Sequence, residues 1–193
     1  LARRRFLAWL AASPVLAGPL LTGAAKADEA APPITAPGQA LNVFELQAVA
    51  ATKIPPAHYG YLMTGVLDDR TRDANVAAYS QWGLNARRLA GVQKPDLSVK
   101  IFGQSWASPV MLCPLGSQKA FHPEGELGSA RAARARSALQ ALSTVASNSV
   151  EAVIAARGGP VWFQVYPTDD VEVAQALVRR ADRAGAGAIV LTL

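Results

Sequence analysis

Apolar and polar positions alternate with a different rhythm in each part of the chain. Phe6 to Leu21 is a mostly apolar run broken by Pro14, Gly18 and Pro19, and residues 28–41 are rich in Ala and Pro with no apolar period. Helical spacing begins at Asn42. Asn42 offers an N-cap with Glu45 three positions on, and the run continues to Lys53. Pro55-Pro56 ends that helix and opens another that passes Tyr61 and ends near Gly65. A third helix is predicted from Thr71 to Trp82, with Gly83 as its stop, and a short strand from Leu97 to Phe102.

From Pro109 the pattern alternates between short apolar runs and helical stretches. Strands are predicted at Pro109–Cys113, Ala138–Thr144, Val161–Tyr166 and Ala188–Leu193. Helices are predicted at Glu124–Arg136, at Ser149–Arg157 capped by Ser147 or Asn148, and at Asp169–Ala184 capped by Thr168; Gly158 and Gly185 stop the last two. A repeated strand–helix unit implies an α/β fold with parallel strands, and eight such units would close a (βα)8 barrel of roughly 250 residues. Only four such strands are present, after a helical N-terminal segment, so the expectation is the front half of a longer barrel protein.

Composition narrows the function. Hydrophobic residues are 51% of the 193, which suits a packed core rather than a disordered chain. A single cysteine, Cys113, excludes a disulfide framework, and it reads as a small buried hydrophobe. His58 and His122 lack the spacing of a metal pair, and His122 reads as part of a helix start. The net charge of +5 comes from 19 basic against 14 acidic residues, but Arg3, Arg4, Arg5 and Lys26 fall in residues 1–27 with no acid. That leaves 15 against 14 in the body, which removes the case for nucleic acid. Residues 1–27 combine an arginine run, an apolar stretch and Ala25-Lys26-Ala27, the parts of an export signal that resembles the bacterial twin-arginine type, with an ordinary secretory signal or an uncleaved anchor as the other reading; the expected address is periplasmic or exported. Residues 28–41 then read as a linker and 42–193 as the barrel half.

In a barrel of this kind chemistry sits at the C-terminal strand ends. That rule selects Cys113-Pro114-Leu115-Gly116, Thr144, Gln164, Tyr166 and Thr192. None makes a nucleophile–base pair. Arg131, Arg134 and Arg136 read as a solvated helix face. The polar set suits a planar hydrogen-bonding cofactor that carries the chemistry itself.

The segments Tyr59-Gly-Tyr61-Leu-Met-Thr-Gly65, Pro109-Val-Met-Leu-Cys-Pro114-Leu-Gly116, Gln118-Lys-Ala-Phe-His122-Pro-Glu-Gly-Glu126, Leu142-Ser-Thr144, Ser147-Asn-Ser-Val-Glu151, Trp162-Phe-Gln164-Val-Tyr166 and Ala188-Ile-Val-Leu-Thr192 resemble the FMN-dependent 2-hydroxy-acid oxidase and dehydrogenase family. The resemblance implies that Pro114, Leu115 and Gly116 face the flavin ring through backbone groups. It implies flavin hydrogen bonds from Thr144, Gln164 and Thr192, and substrate contacts from Tyr61 and Tyr166, the latter stabilising developing charge. The implied reaction oxidises an L-2-hydroxy acid, foremost L-lactate, to the 2-oxo acid, with oxygen or an electron carrier as acceptor and a homo-oligomer, commonly a tetramer, as the assembly. The family's catalytic histidine, lysine and arginine would fall beyond Leu193. Two other readings are a non-catalytic half-barrel that binds or assembles with another chain, and a different flavin- or phosphate-binding barrel.

Overall fold

The computed structural model describes residues 34–91 and 93–193. The chain divides into two compact units between Val49 and Ala50.

Near the division, helix α1 spans Glu45–Lys53. Its start follows the capping logic: Asn42 Oδ1 accepts from the Phe44 and Glu45 amides, and Glu45 Oε2 accepts from the Leu41 amide at 2.7 Å. Helix α2 (Pro56–Met63) uses Pro56 in its first turn, where the missing N–H costs nothing. Helix α3 (Arg70–Ala78) is shorter than the spacing predicts, because Tyr79–Gln81 tighten into a 3-10 turn before Trp82.

The predicted strand at 97–102 is one arm of a hairpin, β1 (Val99–Ile101) with β2 (Gln104–Trp106), paired antiparallel. The two-residue turn Phe102-Gly103 has φ of 48° and 78°, the twist that right-handed strands need at a tight reversal. Phe102 leans on Trp162 with ring centroids 5.4 Å apart.

The larger sheet holds β3 (Met111–Leu112), β4 (Leu139–Leu142), β5 (Trp162–Val165) and β6 (Ala188–Leu191), all parallel and in sequence order. Between them run α4 (Glu126–Ala135), α5 (Val150–Arg157) and α6 (Val171–Ala184). The fold class is therefore α/β, and among the described residues the sheet is open at β3 and β6. Leu142, Phe163 and Val165 pack with Ala130, Val150, Val153 and Ala181 to form the core between sheet and helices. Wholly buried Ala130, Ala133 and Ala181 let the helices approach closely.

Several local expectations are corrected. Ser149, not Ser147 or Asn148, caps α5 by accepting from the Ala152 amide, and Asp170, not Thr168, caps α6 by accepting from the Glu172 and Val173 amides. Ser147 and Asn148 are instead engaged with Lys119 and Glu126. The strand at Pro109–Cys113 is not buried: Val110 is 69% exposed and Cys113 is exposed, because β3 is an edge strand with β4 on one side only. Gly158 and Gly185, at φ of 67° and 90°, close α5 and α6 as expected.

Charged side chains on the helices complete the layer. Arg157, in the last turn of α5, donates to the Ala138 carbonyl and lies 5.6 Å from the Trp106 ring. Burial, with the like charge of Arg134 nearby, pushes its guanidinium below the ordinary arginine range. Arg180 of α6 grips Glu151 of α5 through two nitrogens, at 2.8 and 3.0 Å. The Arg180 hydrogen bond holds the Glu151 carboxyl down at about 2. A carboxyl lowered by folding stabilises the native state above its unfolded value and loses that contribution as pH falls toward its folded value. Substituting Arg180→Ala is therefore expected to flatten the pH dependence of stability between about pH 4.5 and 2. The pair is exposed, so the change is small and read from denaturation midpoints across that window; identical slopes for both proteins would contradict it.

Candidate active-site cleft

The C-terminal ends of β3, β4 and β5 open onto a cleft of about 480 Å³. His58 and Tyr61 reach it from α2, Pro114 to Ser117 with Ala120 and Phe121 from the segment after β3, Ser143 and Val145 from the end of β4, and Tyr166 from the end of β5. Parallel strands put successive loops at one end of the sheet, which is why residues far apart in sequence meet here.

The loop after β3 is laid directly on the loop after β4. The Ser117 amide donates to the Val145 carbonyl at 3.0 Å, and a Cβ on Gly116 would meet Val145 Cγ2 at 2.6 Å. Only glycine permits this close approach.

A hydrogen-bonded row crosses the strand ends behind the cleft. The Thr144 hydroxyl donates to the Gln164 carbonyl and accepts from the Tyr166 amide at 3.1 Å. Gln164 Nε2 donates to Thr192 Oγ1 at 2.9 Å, and the Thr192 amide donates to the Val165 carbonyl. Gln164 is 7% exposed, yet its Oε1 has no partner among the described residues. A buried acceptor left unpaired costs about 1–3 kcal/mol unless something else supplies the donor.

Of the residues singled out in the sequence, Tyr61, Pro114, Leu115, Gly116 and Tyr166 stand together around the cleft. Thr144, Gln164 and Thr192 do not line it; they form the row at the strand ends. His122 accepts from the Glu124 amide in the turn before α4, as a helix-start residue would. Arg131 of the solvated face pairs with Glu124.

Glu126 was not singled out for a role of its own, and it organises the cleft's base. It is wholly buried; Oε1 accepts from the Gln118 amide at 3.0 Å and the Ser147 amide at 2.9 Å, and Oε2 from Asn148 Nδ2 at 3.2 Å. The signal was present in the spacing: Glu126, Ala130 and Ala133 fall on one face of α4, so a carboxylate at the head of an alanine stripe is a carboxylate facing inward. Ser143 and Val145 follow β4 directly, so the strand-end rule extends to them, whereas Phe121 reaches the cleft as the residue after the Gln118–Ala120 turn, which no period marks.

Comparison with known proteins places this arrangement. The FMN-dependent dehydrogenase family matches residues 50–193. Glycolate oxidase 1 of Zea mays is 40% identical over 156 residues, which cover 81% of this chain and 42% of that protein. The glycolate oxidase of Spinacia oleracea is 40% identical over 152 residues, covering 79% and 41%. Among solved structures, a mandelate oxidase superposes with a TM-score of 0.73 at 34% identity, over 77% of this chain and 43% of that one. A structure described as the lactate oxidase of Pediococcus acidilactici gives 0.75 at 34%, over 79% and 43%. The chain thus spans less than half the length of the curated relatives it matches.

The relatives also correct the expected address. The glycolate oxidases among them are plant proteins, and a relative from Oryza sativa subsp. indica is named a peroxisomal (S)-2-hydroxy-acid oxidase. The expectation of a bacterial periplasmic location by the twin-arginine route does not stand. It rested on a basic and apolar composition that many short segments satisfy, and residues 1–27 lie outside the described residues. The match across residues 50–193, together with relatives 40% identical over most of the chain, settles the family: the chain belongs to the FMN-dependent dehydrogenase family, whose cofactor is FMN.

Proposed function

We propose that the full-length protein containing this chain oxidises an L-2-hydroxy acid, L-lactate foremost, to the 2-oxo acid, and that residues 42–193 form the N-terminal half of its (βα)8 barrel behind a linker at 28–41. The reading is carried by one observation: a cleft with two tyrosines, Tyr61 and Tyr166, opens beside a row of strand-end side chains whose buried Gln164 Oε1 lacks a donor.

That row fits the cofactor. The polar edge of an isoalloxazine ring presents an imide N–H between two carbonyls, so it calls for an acceptor flanked by donors. Gln164 offers the free acceptor, and the Thr192 hydroxyl, which accepts from Gln164 Nε2, keeps its own proton to donate; the Thr144 proton is engaged with the Gln164 carbonyl, so Thr144 would donate to the flavin only by turning its hydroxyl away from that carbonyl. Pro114, Leu115 and Gly116 would lie against the ring, on a loop that the close approach of Gly116 to Val145 holds in place. When bound, FMN supplies the two-electron acceptor that the reaction needs.

The chain's own residues bind and orient. Tyr61 would donate its phenol O–H to the substrate carboxylate, and Tyr166 would donate near the reacting hydroxyl, where negative charge grows. Leu115, Phe121 and Val145 give the cleft an apolar wall, which favours a short aliphatic side chain and supports lactate over glycolate. By the family resemblance, the histidine that accepts the hydroxyl proton, the arginine for the carboxylate and a lysine near the flavin belong to the other half of the barrel. The relatives' names as oxidases support oxygen as the acceptor. A tetrameric assembly rests on the family resemblance alone.

Anaerobic mixing of the FMN-loaded full-length protein with L-lactate is expected to bleach the visible flavin band, while D-lactate leaves it unchanged. Absence of bleaching with L-lactate, glycolate and L-mandelate alike overturns the reading.

A further inference from the structure

Helix α2 carries Tyr61 to the cleft, yet none of its residues is buried, and Tyr61 itself is 77% exposed. A helix without a buried face has little hydrophobic packing to fix its position. Among the described residues, one side-chain hydrogen bond joins it to the cleft floor. His58 Nδ1 lies 2.6 Å from the Ala120 carbonyl, across 62 residues of sequence. A carbonyl only accepts, so Nδ1 carries the proton in this contact and the tautomer is set by it. The ring also stands edge-on to Phe121, with centroids 6.4 Å apart and planes at 82°.

The other end of this contact is firmly held. Ala120 closes the turn Gln118–Ala120, and the Gln118 amide is bonded to buried Glu126. His58 and Tyr61 are three residues apart and so share a face of α2, and both line the cleft together with Ala120 and Phe121. At the far end of the helix, Arg72 donates to the Met63 carbonyl, which ties α2 to α3 rather than to the cleft.

The geometry points to His58 as a positioning residue: its Nδ1–H, bonded to the Ala120 carbonyl, latches α2 to the cleft and holds the Tyr61 hydroxyl where a substrate carboxylate binds. His58 does not touch the reacting atoms in this account. It acts through Tyr61, and the kinetic part of the inference rests on the function proposed above.

The test uses the full-length FMN-loaded protein with three variants. His58→Phe keeps a ring against Phe121 and removes the donor; His58→Asn restores a donor close to the Nδ1 position; Tyr61→Phe removes the group being positioned. Expected for His58→Phe is a rise of about fivefold in KM for L-lactate, with kcat and FMN affinity within about twofold of the parent. His58→Asn recovers most of the rise, and His58→Phe adds almost nothing in the Tyr61→Phe background, because both changes remove one function. Hydrogen exchange gives a readout free of activity: the α2 amides exchange about fivefold faster in His58→Phe and return in His58→Asn. An unchanged KM, or losses of kcat and FMN affinity alongside it, or additive effects with Tyr61→Phe, overturns the kinetic role. Unchanged exchange in α2 overturns the latch itself. A protein that never bleaches with a hydroxy acid but shows faster α2 exchange in His58→Phe refutes the proposed reaction and leaves the latch standing.

Discussion

Replacing Tyr166 with phenylalanine in the full-length protein is expected to lower kcat for L-lactate about a hundredfold, with FMN affinity within about twofold. The argument starts from the backbone. Val165, immediately before Tyr166, is buried in β5, and the Tyr166 amide donates to the Thr144 hydroxyl at 3.1 Å. The position of the residue is thus set by its main chain, which phenylalanine leaves intact. What the substitution removes is the O–H alone. The ring is 43% exposed at the cleft, so the lost hydroxyl leaves no buried group unpaired and folding should be unaffected. A donor aimed at charge that develops only in the transition state affects kcat far more than KM, and single donors of this type are worth about 100- to 1000-fold. The measurement is stopped-flow flavin reduction with a parallel FMN titration. A kcat within about threefold of the parent would remove Tyr166 from the chemistry and leave it as part of the cleft wall.

How far the sequence led can be judged at particular residues. The alternation from Pro109 onward specified β3–β6 and α4–α6 because each strand and helix ends on a local signal. Gly158 and Gly185 adopt the positive φ that glycine tolerates, and Asn42 caps the Glu45 amide as its spacing suggests, although the Glu45 carboxylate turns back to the Leu41 amide and the Asn42 side chain rather than to the Asn42 amide. The hairpin arm β2 was missed. Gln104-Ser105-Trp106 lacks an apolar alternation, and the turn places Phe102, a bulky residue, at φ of 48°, against its local preference. Tertiary contact wins there, since Trp106 is 5% exposed and Phe102 meets Trp162. The caps of α5 and α6 were misplaced by one or two residues where several Ser, Thr, Asn and Asp side chains compete, and only the fold assigns the others to different partners. Burial failed at Cys113 for a different reason. An apolar run reads as buried, but burial depends on what lies on both sides of a strand, and β3 has a neighbour on one side only. For the cleft, the strand-end rule found polar groups by their chemistry. Ser143 and Val145 fall under the same rule, since they follow β4 directly, but the turn that brings in Phe121 has no periodicity for a sequence to show.

Glu126 is the position where a single atom should matter most to stability. Its carboxylate accepts three N–H donors from two separate loops, Gln118 on one side and Ser147 with Asn148 on the other, and it does so with no exposure to solvent. Glu126→Gln keeps the shape and replaces one acceptor oxygen by an NH2 group, so at least one amide N–H faces another donor. The expected loss is about 2–3 kcal/mol in chemical denaturation of the full-length protein, because a buried donor is left unpaired and the charge-assisted bonds are lost. Glu126→Ala removes every acceptor and is expected to cost about 3–5 kcal/mol, since three buried donors then lack partners and a void is left at the head of α4. The neighbouring Glu124 supplies the control. It pairs with Arg131 at the surface, both side chains about half exposed at 54% and 50%, so Glu124→Gln should shift stability by less than about 0.5 kcal/mol. Equal effects at the two positions would show that the loops are held by their own backbone bonds. A large loss at Glu126 alone would show that one buried carboxylate holds together the Gln118 turn and the Ser147 loop, and through them the floor on which both the Gly116 loop and Ala120 rest.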